Sequence, residues 1–373
     1  MFRLKNYNRR HHHYDINHKN GNHQNGERFM QNQNLEFPVL IGDIGGTNMR
    51  FSLILNHAGE QLAIATGKVN DFPTIEDAIG SAILPLIKTH PKSLFLAIAG
   101  PVTGKEIKLT NCNWVISPAK LIEKFGVNEV FLINDFEAQA LSAIVLPEKY
   151  LEPIGKKTTA TDQTKVIIGA GSGLGIAGLI YLNGRYIPIE GEGGHIDFAP
   201  QSDEDLALYP FLKKLVGRVS AEELLSGRGL LNIYRAICAM RNVKARIELP
   251  EEITAEARLV HAHRAIDNQA YEAVQFFINY LARLAGDFAL VFKAEGGVYI
   301  GGGILPEMLS LVDEDEFRRN FIHKQPHEKL LENIPTFVLT HPRAALVGME
   351  FYVRHPERFM LDMEDRFFVK NTE

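Results

Sequence analysis

Two adjacent glycines, Gly45 and Gly46, constrain this chain more than any other feature, because they interrupt a strongly apolar stretch. The apolar run Val39–Ile41 precedes them and predicts a buried strand, and a second strand is predicted from Arg50. Glycines between two strands leave backbone N–H groups unshielded by any Cβ, and such groups form a concave nest that binds phosphate. Asp43 ends the first strand, where its carboxylate can hold a hydrated Mg²⁺. On these residues alone, an ordinary β-hairpin with a Gly-Gly turn is an equal alternative.

A second glycine-rich segment, Gly169–Gly175, follows the predicted strand Lys165–Ala170. It does not match the dinucleotide-binding fingerprint, because Leu174 stands where that motif needs its third glycine and a strand follows instead of a helix. Neither glycine segment has the GxxxxGKS or GxxxxGKT pattern, so a P-loop NTPase is excluded. We call Gly45–Asn48 the first glycine loop and Gly169–Gly175 the second glycine loop. The residues expected to contact phosphates are Gly45, Gly46, Thr47 and Asn48 in the first loop, and Gly171, Ser172 and Gly173 in the second.

The chain divides into a polar N-terminal segment and two α/β halves. Residues 1–36 are rich in Asn, His, Gln and Lys and lack an apolar pattern, so we expect a disordered tail. Strands and helices alternate from Val39 onward, which is typical of an α/β fold with a mixed sheet. A polar stretch over 147–164 marks a boundary between the halves. The second half then repeats the opening order of the first: strand, glycine turn, strand, strand.

Helical periodicity predicts several helices that can be compared with the structure. One is expected over Ile75–Lys88, and the longest over about Asn268–Phe292, where apolar residues recur on one face and indicate packing in the core. The capping-box pattern of Ser220 and Glu223 predicts a helix that begins there, with Ser220 as its N-cap. The sequence after His355 carries no motif with a chemical interpretation.

Composition and charge exclude several classes of protein. A net charge of −5 over 373 residues offers no basic face for nucleic acid. No run of 18 or more apolar residues occurs, so no transmembrane helix is expected. Cys112 and Cys238 are the only cysteines, too few for a cysteine-rich zinc site or a disulfide framework. The N-terminus lacks the apolar segment of a secretory signal, so the cytoplasm is the expected location.

Asp135 is the candidate catalytic carboxylate. It follows Asn134 just past the predicted strand Val130–Ile133, and a carboxylate at a strand end faces the cleft in open α/β architectures. There it can accept the proton of an attacking hydroxyl. The same position suits the N-cap of a helix that starts after Phe136, and the residues alone favour this alternative.

Glu192 and His195 lie in a loop with Gly191, Gly193 and Gly194. A carboxylate can accept hydrogen bonds from two adjacent sugar hydroxyls and an imidazole can bind one more, so the pair suits sugar recognition. The glycines would let the backbone pass close to a ligand. A metal site is the rival interpretation, but no second His or Cys has metal-ligand spacing.

With these segments the chain resembles the bacterial glucokinase family of the sugar kinase, heat-shock ATPase and actin superfold. The resemblance runs from about Val39 to about Tyr352 and rests on segments that match in order and spacing. These segments are Gly42–Asn48, Ile133–Phe136, the second glycine loop, Gly191–Pro200 and Val219–Glu222. The Glu-Gly-Gly-His block is far more specific than any single glycine loop. Most members have Thr where this chain has Ser172, and the hydroxyl is kept.

The resemblance implies an α/β, two-domain actin-like ATPase (ribonuclease H-like) fold with the active site in the interdomain cleft. It implies a small domain over 37–145, completed by about 343–373, and a large domain over 146–342. The implied activity is ATP-dependent phosphorylation of glucose at the 6-hydroxyl, the first step of glycolysis, with ATP and Mg²⁺ as cofactors. Glucose would be held by Asn111, Asn134, Asp135, Glu192, His195 and Glu222, with Asp135 as the base. ATP would be held by both glycine loops, Gly302 and Gly303, and Mg²⁺ by Asp43 through water.

Other functions remain open at this point. A kinase for another hexose or hexosamine would contact the same hydroxyls. The related repressor, open-reading-frame and kinase group usually carries a cysteine-rich zinc motif after its His, whereas only Cys238 follows His195 here. A sugar sensor of the repressor type would need a helix-turn-helix, which residues 1–36 are too polar to form, and an actin-like assembly ATPase would not need the Glu-Gly-Gly-His loop. Family members commonly form homodimers, and neither nucleic acid nor a membrane is expected as a partner.

Overall fold

Strands and helices alternate along the chain, and the described residues form two six-stranded sheets and one two-stranded sheet. The computed structural model describes residues 34–59, 61–109, 112–156, 161–262 and 268–370. The strands are β1 (Val39–Ile44), β2 (Asn48–Ile54), β3 (Gln61–Lys68), β4 (Ser93–Ile98), β5 (Ile107–Lys108), β6 (Val115–Ile116), β7 (Glu129–Asn134), β8 (Leu151–Pro153), β9 (Lys165–Ala170), β10 (Leu174–Leu182), β11 (Arg185–Gly191), β12 (Val298–Gly301), β13 (Thr336–Leu339) and β14 (Phe367–Val369). The helices are α1 (Ile75–Ala78), α2 (Pro118–Phe125), α3 (Asp135–Ser142), α4 (Asp203–Val216), α5 (Gly227–Met240), α6 (Pro250–His261), α7 (Asn268–Val291), α8 (Ile304–Met308), α9 (Glu314–Ile322), α10 (Glu328–Glu332) and α11 (Ala344–Arg354).

The N-terminal sheet has the strand order β14-β7-β4-β1-β2-β3. β1, β4 and β7 are parallel, whereas β2, β3 and β14 pair antiparallel with their neighbours. Ile44, Ile98 and Asn134 occupy equivalent register positions at the ends of the three parallel strands. The carboxyl ends of these strands therefore meet at one edge of the sheet, where Asp43 and Asp135 also lie.

The C-terminal sheet repeats this arrangement with the order β8-β13-β12-β9-β10-β11. β9, β12 and β13 are parallel, and β8, β10 and β11 pair antiparallel at the two sides. Strand for strand, the directions are those of the N-terminal sheet, as the repeated strand, glycine turn and strand pattern in the sequence led us to expect. Gly169 of β9 pairs with Gly301 of β12, so the second glycine loop and the turn after β12 lie at the same edge.

Helices α3 and α11 pack against each other and connect the two sheets. α3 contacts β4 and β7 of the N-terminal sheet and also β9, β10 and β11 of the C-terminal sheet. A Cβ at Gly348 of α11 would lie 2.5 Å from the carbonyl oxygen of Ala138 in α3, so this glycine allows the two helices to approach closely. Buried residues of both sheets, including Phe131 and Tyr186, share one apolar core around these helices.

The two helices predicted from periodicity differ in how well they agree with the structure. α7 confirms the long helix to within one residue and buries its apolar face. The helix predicted over 75–88 is confirmed only in part: the backbone is helical over 75–86, but the regular α-helix α1 breaks after Ala78 and is followed by a π-helical turn (Ile79–Ile83) and a 3-10 turn (Leu84–Leu86). Pro85 explains the break, since it has no N–H to donate and its ring clashes with the preceding turn of an α-helix.

The helix predicted to begin at Ser220 is wrong, although the hydroxyl of Ser220 accepts a hydrogen bond from the N–H of Glu223 at 3.4 Å, which is one half of the predicted capping box. Residues 221–226 form turns, and α5 begins only at Gly227, with Ser226 as the N-cap whose hydroxyl accepts a hydrogen bond from the N–H of Gly229. The carboxylate of Glu223 binds the guanidinium of Arg228 at 2.8 Å and does not reach back to the N–H of Ser220. The ion pair with Arg228 therefore replaces the reciprocal capping contact.

The predicted tail over 1–36 lies almost wholly outside the described residues. Within 34–36, Leu35 is buried and the N–H of Glu36 donates to Oε2 of Glu129 at 3.0 Å, so these two residues belong to the fold. No helix in the described part of the chain is long and apolar enough to span a bilayer. The two cysteines, Cys112 and Cys238, are both described and form no disulfide.

Candidate active site

A cavity of about 920 Å³ lies where the carboxyl ends of the parallel strands of both sheets meet. Its wall contains the predicted site residues that the structure describes: Asp43, Gly45, Gly46, Thr47, Asn48, Asn134, Asp135, Gly171, Ser172, Gly173, Glu192, His195, Glu222, Gly302 and Gly303. The remaining one, Asn111, lies outside the described residues. Residues far apart in sequence thus converge on one concave site, as ligand sites of α/β proteins commonly do at strand ends.

Asp135 is the first residue of α3, but it is not the helix cap. Asn134 is the N-cap: its Oδ1 accepts a hydrogen bond from the N–H of Phe136 at 2.8 Å, and the carboxylate of Glu137 accepts one from the N–H of Asn134 at 3.1 Å. The cap alternative that the sequence favoured for Asp135 is therefore shifted by one residue. Since Asn134 and Glu137 form the capping box, the carboxylate of Asp135 is left at the cavity wall.

The carboxyl group of Asp135 titrates close to neutral pH. Burial raises its pKa from 3.8 to about 7, and the negative charges of Asp43 and Glu192 add to the effect. Burial also raises the pKa of Asp43, although the ion pair between its Oδ2 and Nη1 of Arg50, at 3.3 Å, opposes the shift. A general base works best when its pKa lies near the working pH. The environment of Asp135 therefore suits proton abstraction from a hydroxyl.

The first glycine loop is a tight hairpin turn between β1 and β2. The N–H of Gly45 donates to the carbonyl of Asn48 at 2.9 Å, and the carbonyl of Thr47 accepts from the N–H of Val69 at 2.9 Å. The hairpin alternative is thus confirmed, and the same turn also lines the cavity, so phosphate binding there stays a prediction compatible with the hairpin.

Asp43, next to this turn, is the candidate Mg²⁺ ligand. The described residues contain no group of three or more His, Cys, Asp or Glu that could hold a metal ion by themselves. Mg²⁺ usually keeps several waters and takes one or two carboxylates together with phosphate oxygens. A single carboxylate beside two glycine loops therefore fits the ion.

The second glycine loop is closed by its own backbone and by helix α5. The N–H of Gly171 donates to the carbonyl of Gly173, and the N–H of Gly227 donates to the carbonyl of Gly171, both at 2.9 Å. The ring of Phe136 fills the space beside Gly169 and Gly175, where any Cβ would overlap it. Because Phe136 follows Asp135 directly, these glycines also fix the position of the Asp135 carboxylate relative to the loop.

Glu192 and His195 face the cavity with their side chains largely exposed, 3.6 Å apart between Oε2 and Nε2. The packing of the loop requires glycine at both positions that directly precede His195. A Cβ at Gly194 would overlap the carbonyl oxygen of Leu174, and one at Gly193 would lie 2.6 Å from the ring of Phe288. The loop is therefore pressed against the second glycine loop, which leaves the two polar side chains directed at the cavity.

Glu222 connects the loop of Glu192 and His195 with the second glycine loop. Its Oε2 accepts a hydrogen bond from the N–H of Leu174 at 3.0 Å, and its own N–H donates to the carbonyl of Gly194 at 2.8 Å. Arg228 lies 3.6 Å from its Oε1. The carboxylate is thus already engaged within the protein.

The turn after β12 completes the wall. Gly302 has a φ of +87°, which favours glycine, and a Cβ there would overlap the backbone of Ala170. Gly303 meets no atom within 4 Å at its Cβ position and borders the open cavity. The close contact at Gly302 therefore places Gly303 beside the second glycine loop.

Several wall residues were missed from the sequence. Arg50 pairs with Asp43 across the hairpin, and the strand register Asp43 to Arg50 is the signal that would have found it. Residues 340–345 follow β13 at its carboxyl end and also line the cavity. Because β13 is parallel to β12, this segment lies at the same edge of the sheet as Gly302 and Gly303.

Comparison with known proteins points to one family. A family model described as glucokinase matches residues 40–356. A glucokinase of Agrobacterium fabrum is 44% identical over 332 residues, which cover 89% of this chain and 96% of the relative. A crystal structure of glucokinase from an Antarctic psychrotroph has a TM-score of 0.72 at 29% identity and covers 83% of this chain and 97% of its own. A ROK family glucokinase from Streptomyces griseus, solved with glucose and AMPPNP, has a TM-score of 0.55 at 21% identity, with coverages of 85% and 99%, and supports the fold.

Proposed function

The chain belongs to the glucokinase family, and from that premise we propose that it transfers the γ-phosphoryl group of ATP to the 6-hydroxyl of glucose with Asp135 as general base. One observation carries the assignment of the base. Asp135 has a pKa of about 7 and lines the same cavity as two glycine loops and the polar residues Glu192 and His195. The cavity thus combines phosphate-binding turns, hydroxyl-binding side chains and a carboxylate that can take a proton at neutral pH.

ATP would lie against the glycine side of the cavity. The backbone N–H groups of the first and second glycine loops would bind its phosphates, and Ser172 would add a hydroxyl. Gly302 and Gly303 would border the adenosine. Asp43 would hold Mg²⁺ through water, and the ion would neutralise charge on the transferred phosphoryl group.

Glucose would lie on the opposite side, next to Asp135. Glu192 accepts from two neighbouring hydroxyls in this proposal, and His195 binds one more. Glu222 would contact the sugar while it keeps its hydrogen bond to the N–H of Leu174. Asn134 already uses Oδ1 as the helix cap and donates from Nδ2 to the carbonyl of Gly100, so its second amide hydrogen is the one that remains for a hydroxyl. A contact between Asn111 and glucose is proposed from the family resemblance alone.

Proton transfer from the 6-hydroxyl to the carboxylate of Asp135 would make the oxygen a better nucleophile as it attacks the γ-phosphorus. General base catalysis of this kind contributes about 10²- to 10⁴-fold. Closure of the cavity around both ligands would exclude water, which otherwise competes as the nucleophile.

The two equivalent sheets support a two-domain actin-like fold of the ribonuclease H type, with the active site in the cleft between domains. We propose a small domain over 37–145, completed by residues from about 343 onward, and a large domain over 146–342. Action in the cytoplasm and assembly as a homodimer are further proposals, which rest on the sequence and on the family.

The first test measures ATP-dependent phosphorylation of glucose, mannose, fructose and N-acetylglucosamine, with and without Mg²⁺ and with a no-sugar control. A large Mg²⁺-dependent preference for glucose is expected. Preference for a different sugar would replace the substrate and keep the mechanism. ATP hydrolysis indifferent to every sugar would instead indicate an assembly ATPase, and sugar binding without turnover would indicate a sensor.

The second test addresses the base. Asp135→Asn should lower kcat by about 10³-fold or more while glucose affinity is largely kept. In the unsubstituted protein, kcat/KM for glucose should fall as the pH drops below about 7, because the carboxyl then carries a proton. Near-full activity of the Asn variant would refute the assignment.

A further inference from the structure

The residues that follow α11 cross from one sheet to the other. The N–H of Met360 donates to the carbonyl of Tyr186 in β11 at 2.9 Å, and β14 then pairs with β7. We call residues 359–369 the C-terminal strap. The family match ends at residue 356, so the strap lies outside the segment on which the family assignment rests.

Arg366 is the one buried arginine of the strap and binds two carboxylates at once. Its Nη1 donates to both carboxylate oxygens of Glu137, at 3.0 and 2.8 Å, and its Nη2 donates to Oε1 of Glu190 at 2.9 Å. Its carbonyl accepts from the N–H of Leu132 in β7 at 2.9 Å, which fixes the backbone next to the side chain. One guanidinium therefore joins α3 to β11.

Each of the two carboxylates leads directly to a residue of the candidate active site. Glu137 completes the capping box with Asn134, so it holds the N-terminus of α3, where Asp135 is the first residue. Glu190 lies on β11, two residues before Glu192. The described contacts thus run from Arg366 through Glu137 toward Asp135, and through Glu190 toward Glu192.

The two carboxylates depend on Arg366 electrostatically. The pKa of Glu137 is raised to about 7: burial is the largest cause, the positive charge of Arg366 opposes it, and the negative charge of Glu190 adds to it. Burial likewise raises the pKa of Glu190, and its Oε2 is buried with no hydrogen-bond partner in the described chain. Removal of one partner from a buried ionic group leaves an uncompensated charge, which the structure relieves by proton uptake or by movement.

We propose that Arg366 is a positioning residue for phosphoryl transfer, which sets the Asp135 carboxylate through Glu137 and the Glu192 loop through Glu190. This proposal rests on the proposed roles of Asp135 and Glu192. A misplacement of about 1 Å at a reacting group can cost about 10²-fold in rate. The glycine loops make no contact with Arg366 among the described hydrogen bonds, so ATP binding should be spared.

The test compares the steady-state kinetics of Arg366→Met with those of the unsubstituted protein, both full length and well below the unfolding temperature. We expect kcat to fall about 10- to 100-fold and KM for glucose to rise, while KM for ATP changes less than about twofold. Arg366→Lys keeps the charge but can face only one carboxylate well, so it should restore part of kcat. The double variant Glu137→Gln/Arg366→Met should be faster than Arg366→Met alone, because Glu137 then carries no charge that needs Arg366 and only Glu190 lacks its partner.

Arg354→Met is the matched control. Arg354 is similarly enclosed and binds Glu350 on its own helix and the carbonyl of Asn56, away from the cavity. Its loss should lower stability and leave kcat within about twofold. If Arg366→Met does not fold, Arg366→Lys carries the test and should lower kcat with KM for ATP unchanged.

Three outcomes would overturn the proposal. The first is an unchanged kcat in a folded Arg366→Met or Arg366→Lys variant, and the second is a fall in kcat matched by equal rises in KM for glucose and KM for ATP. The third is a double variant no faster than Arg366→Met alone. Asp135→Asn is measured alongside. Full activity of that variant would refute the proposed base itself, whereas an inactive Asp135→Asn with a fully active Arg366→Met would refute only the role of Arg366.

Discussion

Asp135→Asn should make the protein more stable as well as inactive. The ionised carboxylate of Asp135 lies in a partly buried site near the negative charges of Asp43 and Glu192, and its pKa is raised from 3.8 to about 7. The folded state therefore binds a proton more tightly than the unfolded state, and ionisation above that pKa costs folding free energy. Asn has the same shape and can still accept the hydrogen bond from the N–H of Phe136.

The magnitude follows from the pKa difference. A shift from 3.8 to about 7 corresponds to at most about 4 kcal/mol of lost stability at pH 8. Solvent in the cavity screens the carboxylate, so we expect about 1 to 2 kcal/mol. The penalty is absent below about pH 4, grows as the pH rises toward 7 and is constant above it. The advantage of the Asn variant should therefore be larger at pH 8 than at pH 5.

Urea unfolding, followed by the fluorescence of Trp114, measures this effect. Trp114 is the only tryptophan of the chain, is buried, and packs in the same core cluster as strands of the N-terminal sheet. The free energy of unfolding is compared between the unsubstituted protein and Asp135→Asn at pH 5 and pH 8. Glu123→Gln, at an exposed position of α2, removes the same charge from the surface and serves as the control.

The reasoning fails if Asp135→Asn is no more stable than the unsubstituted protein at pH 8. It also fails if the variant has the same advantage at both pH values, because a charge-independent packing effect would then explain the gain. An equal pH-dependent gain in Glu123→Gln would indicate relief of net charge instead of local burial.

Two further predictions concern the loops around the cavity. Glu222→Gln should raise the dissociation constant for glucose about 10-fold, measured by calorimetry, and that for ATP less; equal losses would show that Glu222 only supports the second glycine loop. Gly194→Ala should lower the free energy of unfolding by about 2 kcal/mol or more, because its Cβ overlaps the carbonyl of Leu174. Gly303→Ala, which meets open space at a φ of −88°, should change stability by less than about 0.5 kcal/mol, and a Gly194→Ala variant of equal stability would contradict the packing argument.

The parts of the fold predicted correctly from sequence are those with a strong local pattern. The apolar strands before each glycine loop have short, uninterrupted apolar runs, and α7 has a long apolar face, so local physics decides their structure. The candidate residues at strand ends line one cavity for a related reason: parallel strands bring their carboxyl ends to one edge, whichever segments connect them.

The failures share a dependence on distant partners. β14 has three residues, and only its pairing with the edge of β7 makes it a strand, so no local signal marks it. Arg366 is buried as the ion-pair partner of Glu137 and Glu190, which are remote from it in sequence. Ser220 shows the opposite case. Its local sequence fits a capping box, but the carboxylate of Glu223 pairs with Arg228 instead of the N–H of Ser220.

The pairing of β14 with β7 also bears on the order in which the protein folds during synthesis. β7 is made early, and the whole C-terminal sheet is translated before β14 emerges. During that interval the outer edge of β7 exposes unpaired N–H and C=O groups, which are a template for pairing with another chain. Domains begin to fold as they leave the ribosome. The N-terminal sheet of the nascent chain therefore has an open edge at β7 until residues 367–369 are released. A chaperone that protects the nascent chain from aggregation would act at this edge.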